Sequence, residues 1–201
     1  YAMRARWALL QAGLLGHWRE ISLRAKPQEM LDASPKGTVP VLVLEDGTVI
    51  DESLELMQWA LAQANPRNLA QNDANNALIA ENDAAFKHHL DRYKYANRYE
   101  DKGAVSEDHR KAGSAFLETL DARLSLRTQL FGERVSLADM AVMPFIRQFA
   151  NTDRAWFEAS PYPALKAWLA AHLASSRFKS IMPKFDQWKT GDEEPVFPAA
   201  T

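Results

Sequence analysis

The stretch "SPKGTVPVLVLEDGTVIDES" (residues 34–53) carries the most information about the fold of this chain. Two β-rich runs flank Asp46 and Gly47, a pair that favours the tight turn of a β-hairpin. The first run contains Val39 and Pro40, where the proline removes a hydrogen-bond donor from the strand. A cis Val39–Pro40 bond is one explanation, because it turns the chain sharply and leaves the Val39 backbone facing outward. An edge-strand proline without a ligand is the other.

Three polar residues, Asp51, Glu52 and Ser53, follow the hairpin at the start of a predicted helix. Side chains of this kind cap N–H groups at a helix N-terminus and suit the helix dipole. Alternatively, Glu52 and Ser53 hold the amino and carboxylate groups of a ligand. A helix N-terminus favours binding of a carboxylate. The residues alone leave both interpretations open.

The segments around this stretch predict a mixed first third. Apolar spacing predicts a helix over residues 1–12, alternation predicts a strand over 17–23, and Pro27 opens a short helix. Beyond the hairpin, Leu54, Met57, Leu61 and Ala64 form one helical stripe. A strand joined by a crossover helix to a parallel strand is a βαβ unit, and the strand that should precede the first helix is absent from this sequence.

The rest of the chain predicts helices alone. They cover residues 74–100, 106–126, 137–149, 163–174 and 176–182, and a polar, proline-containing tail follows. The predicted fold is therefore α/β plus all-α, a thioredoxin-like domain without its first strand followed by an all-helical domain. We expect the first domain at residues 1–65, a linker at 66–75 and the helical domain at 76–201.

Composition excludes several classes of function. The 201 residues carry a formal net charge of −2 with a pI near 6.2, which argues against binding to nucleic acid or a membrane surface. Neither a membrane-spanning apolar stretch nor a secretory leader is visible, so we expect a cytoplasmic protein. The sequence contains no cysteine, which rules out disulfides and thiolate metal ligands within it.

Residues 34–53 resemble the glutathione-binding segment of the cytosolic glutathione S-transferase family. A strand entered through Val-Pro, then a hairpin, then Glu-Ser at a helix start is the signature of that family, and the resemblance extends over essentially the whole chain. It implies glutathione as co-substrate, with the Val39 backbone paired to its cysteinyl part beside a cis Pro40. It also implies that Glu52 and Ser53 hold the γ-glutamyl end.

Two further segments resemble the cysteine-type, omega-like branch of that family in a bacterial-style enzyme. In "LRAKPQEML" the lysine before the proline, Lys26, would reach the glycyl carboxylate of glutathione, although a solvated loop lysine is equally open. "YAMRAR" matches the aromatic-plus-helix pattern, which puts the nucleophile two residues before Tyr1, where a helix N-terminus lowers a thiol pKa. A serine or tyrosine there would instead activate the thiol of glutathione. We expect about ten or more further N-terminal residues in the natural chain, which an intact mass above 22.7 kDa would verify.

The resemblance implies an enzyme that transfers glutathione to an electrophile or carries out glutathione-dependent thiol transfer and disulfide reduction. The alternatives are a non-catalytic module that binds a protein partner and a carrier of apolar ligands. The partners expected are glutathione, a small electrophilic or disulfide substrate and a second copy of the chain, with neither nucleic acid nor membrane. The homodimer rests on analogy alone.

In the helical half, Ser136 and Asp139 resemble the capping motif of the core helix in this family, a structural element. His88, His89 and Asp91 are near one another in sequence, but adjacent histidines point about 100° apart on a helix and the spacing matches no metal motif. We therefore expect no metal. Three tyrosines form part of a pocket for an apolar co-substrate, or they serve interhelical packing or a dimer contact: Tyr93, Tyr95 and Tyr99.

Overall fold

The computed structural model describes residues 1–65, 69, 72–99 and 105–198. The chain divides into two compact units, Tyr1–Asn68 with Ser175–Thr201, and Leu69–Ala174. Ser175–Thr201 thus belongs with the N-terminal unit, whereas the sequence assigned it to the helical domain. Residues 66–68, 70 and 71 of the predicted linker lie outside the described residues, and the division into 1–65, 66–75 and 76–201 stays a prediction.

The described elements alternate in the first third and are helical over most of the remainder. In the first unit they are α1 (Ala2–Ala12), β1 (Gly16–His17), α2 (Gln28–Ala33), β2 (Leu42–Val43), β3 (Val49–Ile50), α3 (Ser53–Gln63), α10 (Ser176–Ser180) and β4 (Val196–Phe197). In the second unit they are α4 (Asp73–Glu81), a π-helix (Asn82–Phe86), α5 (Lys87–Lys94), a 3-10 turn (Ala96–Arg98), α6 (Ser106–Leu124), α7 (Leu137–Ala150), α8 (Arg154–Ala159) and α9 (Pro163–Ala174).

The core of the first unit forms where α1 packs against α3. The predicted first helix is confirmed, with Trp7 among its buried residues. On α3 the buried stripe runs through Met57 and Leu61, as predicted. Leu54 and Ala64 are only half-buried and do not belong to the stripe. Leu56 and Ala60 take their places, because i, i+1, i+4 and i+5 lie on one face of a helix.

The predicted hairpin is confirmed, since β2 and β3 pair antiparallel around a turn in which Gly47 has φ 84°. The predicted strand over 17–23 is wrong beyond His17, because β1 pairs only with the two residues of β4 and Leu23 is exposed. A parallel βαβ pairing does not occur among the described residues. Both of their sheets are two-stranded and antiparallel.

The C-terminal segment is docked on the first unit. Phe197 is buried, with its ring centroid 5.1 Å from that of Trp18. The Trp18 backbone N–H donates to the Pro195 carbonyl at 2.8 Å, and the Trp188 N–H donates to the Glu20 carbonyl at 2.8 Å. The sequence predicted a polar tail here, but its few aromatic side chains bury enough apolar surface to hold it in place. Residues 199–201 of that tail lie outside the described residues.

The second unit is built around α7, which is buried over nearly its whole length and packs against α4, α5 and α9. The predicted helix over 74–100 is present as α4, the π-helix and α5 in succession, and it ends at Lys94 rather than later. Residue 100 lies outside the described residues. Of the helices described in either unit, none has the length and apolar character needed to cross a membrane.

Candidate functional site

The first element of the candidate site is the N-terminus of α3, where the polar triplet does not act as a cap. The N-cap residue is Glu52, and its side chain makes no capping hydrogen bond. Asp51 instead accepts a hydrogen bond from the Ser34 hydroxyl at 2.6 Å. The interpretation of the triplet as a helix cap is therefore wrong. The side chain of the N-cap residue of α3 accepts no hydrogen bond from the N–H groups of its first turn.

Lys36 joins the two carboxylates of the triplet. Its Nζ donates to Asp51 Oδ1 at 2.9 Å and to Glu52 Oε1 at 2.7 Å. Hydrogen bonds to Glu52 and Asp51 raise the pKa of Lys36. Hydrogen bonds from Ser34 and Lys36 lower the pKa of Asp51. The Glu52 side chain is 57% exposed, so this ion pair lies in water, where such pairs are weak and exchange readily.

A buried arginine on α1 forms a hydrogen bond to the side chain of Ser53. Arg4 on α1 is only 2% exposed, and its Nε donates to Ser53 Oγ at 3.0 Å. Since Ser53 itself is 4% exposed, this bond fixes the hydroxyl at the start of α3. The Arg4 guanidinium carbon also lies 4.9 Å from the ring centroid of Tyr1. The structure thus brings Tyr1 and Ser53 together through Arg4.

The strand entrance has the geometry that the sequence suggested. The Val39–Pro40 peptide bond is cis, which favours the first of the two explanations offered above. Within the described part of the chain, neither the N–H nor the C=O of Val39 has a hydrogen-bond partner. A backbone edge of this kind is able to pair with an extended peptide as an added strand.

Lys26 lies against the loop that leads to this strand. A Cβ atom built on Gly37 would be 2.9 Å from Lys26 Nζ, so a larger residue there would displace the end of this lysine side chain. Gly37 is preceded by Lys36, the partner of Glu52. One short loop therefore contacts both Lys26 and Glu52, two of the predicted site residues.

Sequence reasoning missed Arg4 and Lys36. The signal for Arg4 was its position, because residues 4, 8 and 11 share the buried side of α1 and a charged residue on such a side needs a partner. No comparable signal marked Lys36. It is an exposed loop lysine, and only the fold brings it to the acidic pair.

The capping box predicted at α7 is confirmed. The Ser136 hydroxyl accepts from the Asp139 N–H at 3.4 Å, and Asp139 Oδ2 accepts from the Ser136 N–H at 2.8 Å. Asp139 is completely buried, and its Oδ1 also accepts from the Leu130 N–H at 2.9 Å and from Trp168 Nε1 at 3.0 Å. This residue joins three segments of the second unit, which is a structural role.

A buried histidine continues this network. His172 Nε2 is 3.0 Å from Gln129 Oε1, which also accepts from Trp168 Nε1 at 3.1 Å. Burial lowers the pKa of His172, while the nearby Asp139 carboxylate acts in the opposite direction. The ring is thus held in an apolar setting that favours its neutral form.

Of the three tyrosines Tyr93, Tyr95 and Tyr99, only Tyr93 is buried. Tyr93 is buried, with its ring centroid 4.8 Å from that of Phe149. Tyr95 and Tyr99 lie beneath arginine side chains, with Arg92 4.5 Å from the Tyr99 ring centroid. Of the two interpretations open from the sequence, interhelical packing describes Tyr93.

Three histidines meet between α5 and α6. The possible ligand atoms of His88, His89 and His109 all lie within 4.8 Å of one another. His89 Nδ1 and His109 Nδ1 are 2.9 Å apart. Burial first, and then the neighbouring positive groups, lower the pKa of both His89 and His109. Asp91 is instead bonded to Lys87, so the sequence-based trio of His88, His89 and Asp91 is not the one that forms.

The cis-proline strand entrance, the hairpin and the helix behind it define a thioredoxin-like domain, and a helical domain follows it. The family model described as glutathione S-transferase, N-terminal domain, matches residues 1–63, and the one described as glutathione S-transferase, C-terminal domain, matches residues 77–171. Together the two models account for most of the chain. This chain belongs to the glutathione S-transferase family.

Solved structures share the fold at low sequence identity. A glutathione transferase family member from Pseudomonas fluorescens with two glutathione molecules bound is 22% identical, with a TM-score of 0.74 over 89% of this chain and 86% of that one. Glutathione transferase Omega 3C from Trametes versicolor is 20% identical, with a TM-score of 0.75 over 93% and 86%. BphK, a bacterial glutathione transferase, is 20% identical, with a TM-score of 0.72 over 89% and 92%. A comparison with curated protein sequences finds no match.

Proposed function

We propose that this protein binds glutathione in its N-terminal unit and uses it as a co-substrate. The Val39 backbone would pair with the cysteinyl part beside Pro40, Glu52 and Ser53 would hold the γ-glutamyl end, and Lys26 would hold the glycyl carboxylate. The single observation that carries the proposal is the start of α3, where Ser53 is fixed by Arg4 while Glu52 leaves the helix uncapped.

The charges at this end of α3 suit an amino acid moiety, which carries one positive and one negative group. A carboxylate is favoured at a helix N-terminus that lacks a cap. Ser53 Oγ accepts from Arg4, so the hydroxyl proton remains available to donate to that carboxylate. The ammonium group of the ligand would take the place of Lys36 on Glu52, exchanging one exposed ion pair for another.

The proposed reaction is transfer of glutathione. In conjugation, the sulfur of the glutathione thiolate attacks an electrophilic carbon, a C–S bond forms and the leaving group departs with its electron pair. The sequence resemblance to the omega-like, cysteine-type branch favours thiol transfer through a mixed disulfide instead. Parallel assays with a chloro-dinitroarene and with a glutathione mixed disulfide distinguish the two.

We also propose the homodimer and the cytoplasmic location expected from the sequence. Light scattering that gives only a 22.7 kDa species at micromolar concentration would argue against the dimer.

Binding of glutathione is tested by isothermal titration calorimetry with Glu52→Gln and a matched control, Glu55→Gln. Glu55 is an exposed residue in the first turn of the same helix. Loss of a charge-assisted hydrogen bond weakens binding by about tenfold or more, so Glu52→Gln should raise the Kd by that factor. Glu55→Gln should leave the Kd within about twofold of the wild-type value, because a screened charge without contact to the ligand contributes little.

The outcomes separate the competing functions. Wild-type protein that takes up no glutathione at millimolar concentration would refute the proposal and favour the protein-interaction module. Glutathione binding with no turnover in either assay would favour the apolar-ligand carrier. An equal loss of affinity in both glutamate variants would show that Glu52 is not a specific contact.

A further inference from the structure

We propose that His88, His89 and His109 form a binding site for a divalent transition metal ion in the helical unit, with Cu²⁺ preferred over Ni²⁺ and Zn²⁺. The site is separate from the glutathione site proposed above and does not depend on it. It also departs from the sequence-based expectation that the protein holds no metal. Imidazole nitrogen is a preferred ligand for all three of these ions.

The site exists because α5 and α6 approach closely at a glycine. A Cβ atom built on Gly113 would be 3.6 Å from the Cβ of His89 and 2.8 Å from Phe149 Cε2, so a larger residue does not fit there. His109 lies four residues before Gly113 and therefore on the same face of α6. This spacing presents His109 to α5 one turn away from the contact, beside the two consecutive histidines.

The ring positions show that consecutive histidines on a helix do converge here. The ring centroids of His88 and His89 are 5.1 Å apart, and those of His88 and His109 are 5.8 Å apart. The expectation that adjacent residues diverge by about 100° holds for Cα–Cβ directions. The imidazole rings reach beyond that divergence, because χ1 and χ2 carry them toward the third histidine on the neighbouring helix.

The ligand type indicates the order of metal affinity. A site of nitrogen ligands generally binds Cu²⁺ more tightly than either Ni²⁺ or Zn²⁺. The Nδ1 atoms of His89 and His109 are 2.9 Å apart, the distance of an N–H···N hydrogen bond. Binding of one ion to both nitrogens would replace that hydrogen bond.

One cation opposes metal binding. Arg92 Nη1 donates to His88 Nδ1 at 3.0 Å, since a guanidinium has no acceptor, and it therefore occupies that lone pair. Lys87 is bonded to Asp91, and Asp108 lies next to His109 in sequence. For His88 to bind through Nδ1, the Arg92 side chain must swing away. Removing this arginine should thus strengthen metal binding, the opposite of what removing a ligand does.

The test is a titration of the full chain, free of any polyhistidine tag and of glutathione, with Cu²⁺, Ni²⁺ and Zn²⁺ at pH 7. We expect one ion per chain with micromolar or tighter affinity and Cu²⁺ the tightest of the three. His109→Gln should lower the Cu²⁺ affinity by at least about tenfold, the loss that even outer-shell changes cause. Arg92→Gln should raise it severalfold, and electron paramagnetic resonance of the Cu²⁺ complex should show nitrogen couplings that weaken in His109→Gln.

The matched control is His17→Gln, which changes an exposed histidine of the first unit and should leave the affinity unchanged. Circular dichroism establishes that each variant is folded. The proposal is overturned if wild-type protein binds no ion in this range, or if His109→Gln binds as tightly as wild type. It is also overturned if Arg92→Gln weakens binding. Because Arg92→Gln removes an exposed contact, it keeps the test decisive even where His109→Gln fails to fold.

Discussion

Two helices of this protein begin with an acidic and hydroxyl pair, and the two pairs are used in opposite ways. At α7, Ser136 is the N-cap and Asp139 the third helical residue, and both are buried in reciprocal hydrogen bonds. At α3, Glu52 is the N-cap and makes no capping bond, while Glu55 occupies the third helical position and is exposed. Acidic side chains at a helix start thus belong to a structural cap in one unit and remain exposed in the other.

For the two carboxylates Asp139 and Glu52, the difference shows that burial separates the structural group from the candidate ligand-binding group. A buried carboxylate must have all its hydrogen bonds made within the protein, since desolvation without them is costly. An exposed carboxylate is solvated at little cost and is free to exchange one cation for another. Asp139 meets the first condition and Glu52 the second.

The largest expected effect is therefore on Asp139. Asp139→Ala leaves the Leu130 N–H and the Ser136 N–H without their acceptor in a buried region, and Trp168 Nε1 keeps only Gln129 Oε1. We expect a loss of about 4 kcal/mol in the free energy of unfolding, measured by urea denaturation. Glu55→Ala, at the equivalent position of α3, should change it by less than about 0.5 kcal/mol. Equal losses in the two variants would contradict the comparison.

The two serines should differ in what they affect. Ser136→Ala removes a capping hydroxyl and should lower the free energy of unfolding by about 1 kcal/mol, with no change in glutathione affinity. Ser53→Ala should weaken glutathione binding severalfold, because the hydroxyl that Arg4 fixes is proposed to contact the ligand. Calorimetry gives the glutathione affinity of both variants, and urea denaturation gives their free energy of unfolding. A Ser53→Ala variant with unchanged glutathione affinity would show that Ser53 does not contact the ligand.

The smallest expected effect is a dependence of stability on pH. Burial lowers the pKa of folded His172 below its ordinary value of about 6.5, so the unfolded chain binds more protons than the folded one near and below that pH. The contribution of His172 is then fully present above about pH 6.5 and is lost as the pH falls below it. His89 and His109, whose pKa values are also lowered, act in the same direction.

His172→Gln should make the free energy of unfolding less dependent on pH between about 5.5 and 7.5. His17→Gln serves as its control, because it removes an exposed histidine of the first unit. Thermal or urea unfolding at several pH values in this range gives the slope directly. A wild-type stability that rises as the pH falls would contradict the assignment.

Local features of both sites were predictable from the sequence. Asp46-Gly47 between two β-rich runs and Ser136 three residues before Asp139 each predict a short piece of backbone that the structure contains, and the cis Val39–Pro40 bond is one of the two alternatives that the sequence left open. These predictions succeed because turn chemistry and capping act within a few residues. The predicted strand over 17–23 fails because a strand depends on a distant partner, and only Gly16–His17 has one.

Sequence alone thus indicated the family resemblance, the hairpin and the cap of α7, and it offered the cis proline as one of two alternatives. Tertiary structure decided which polar groups are buried: Arg4 beneath Ser53, Asp139 beside Trp168, and the C-terminal segment against Trp18. It also decided that His109 joins two histidines twenty residues earlier, a neighbourhood that exists only because Gly113 lets two helices touch. Periodicity in a sequence encodes which side of an element faces inward, whereas the residue it meets there is set by packing between elements.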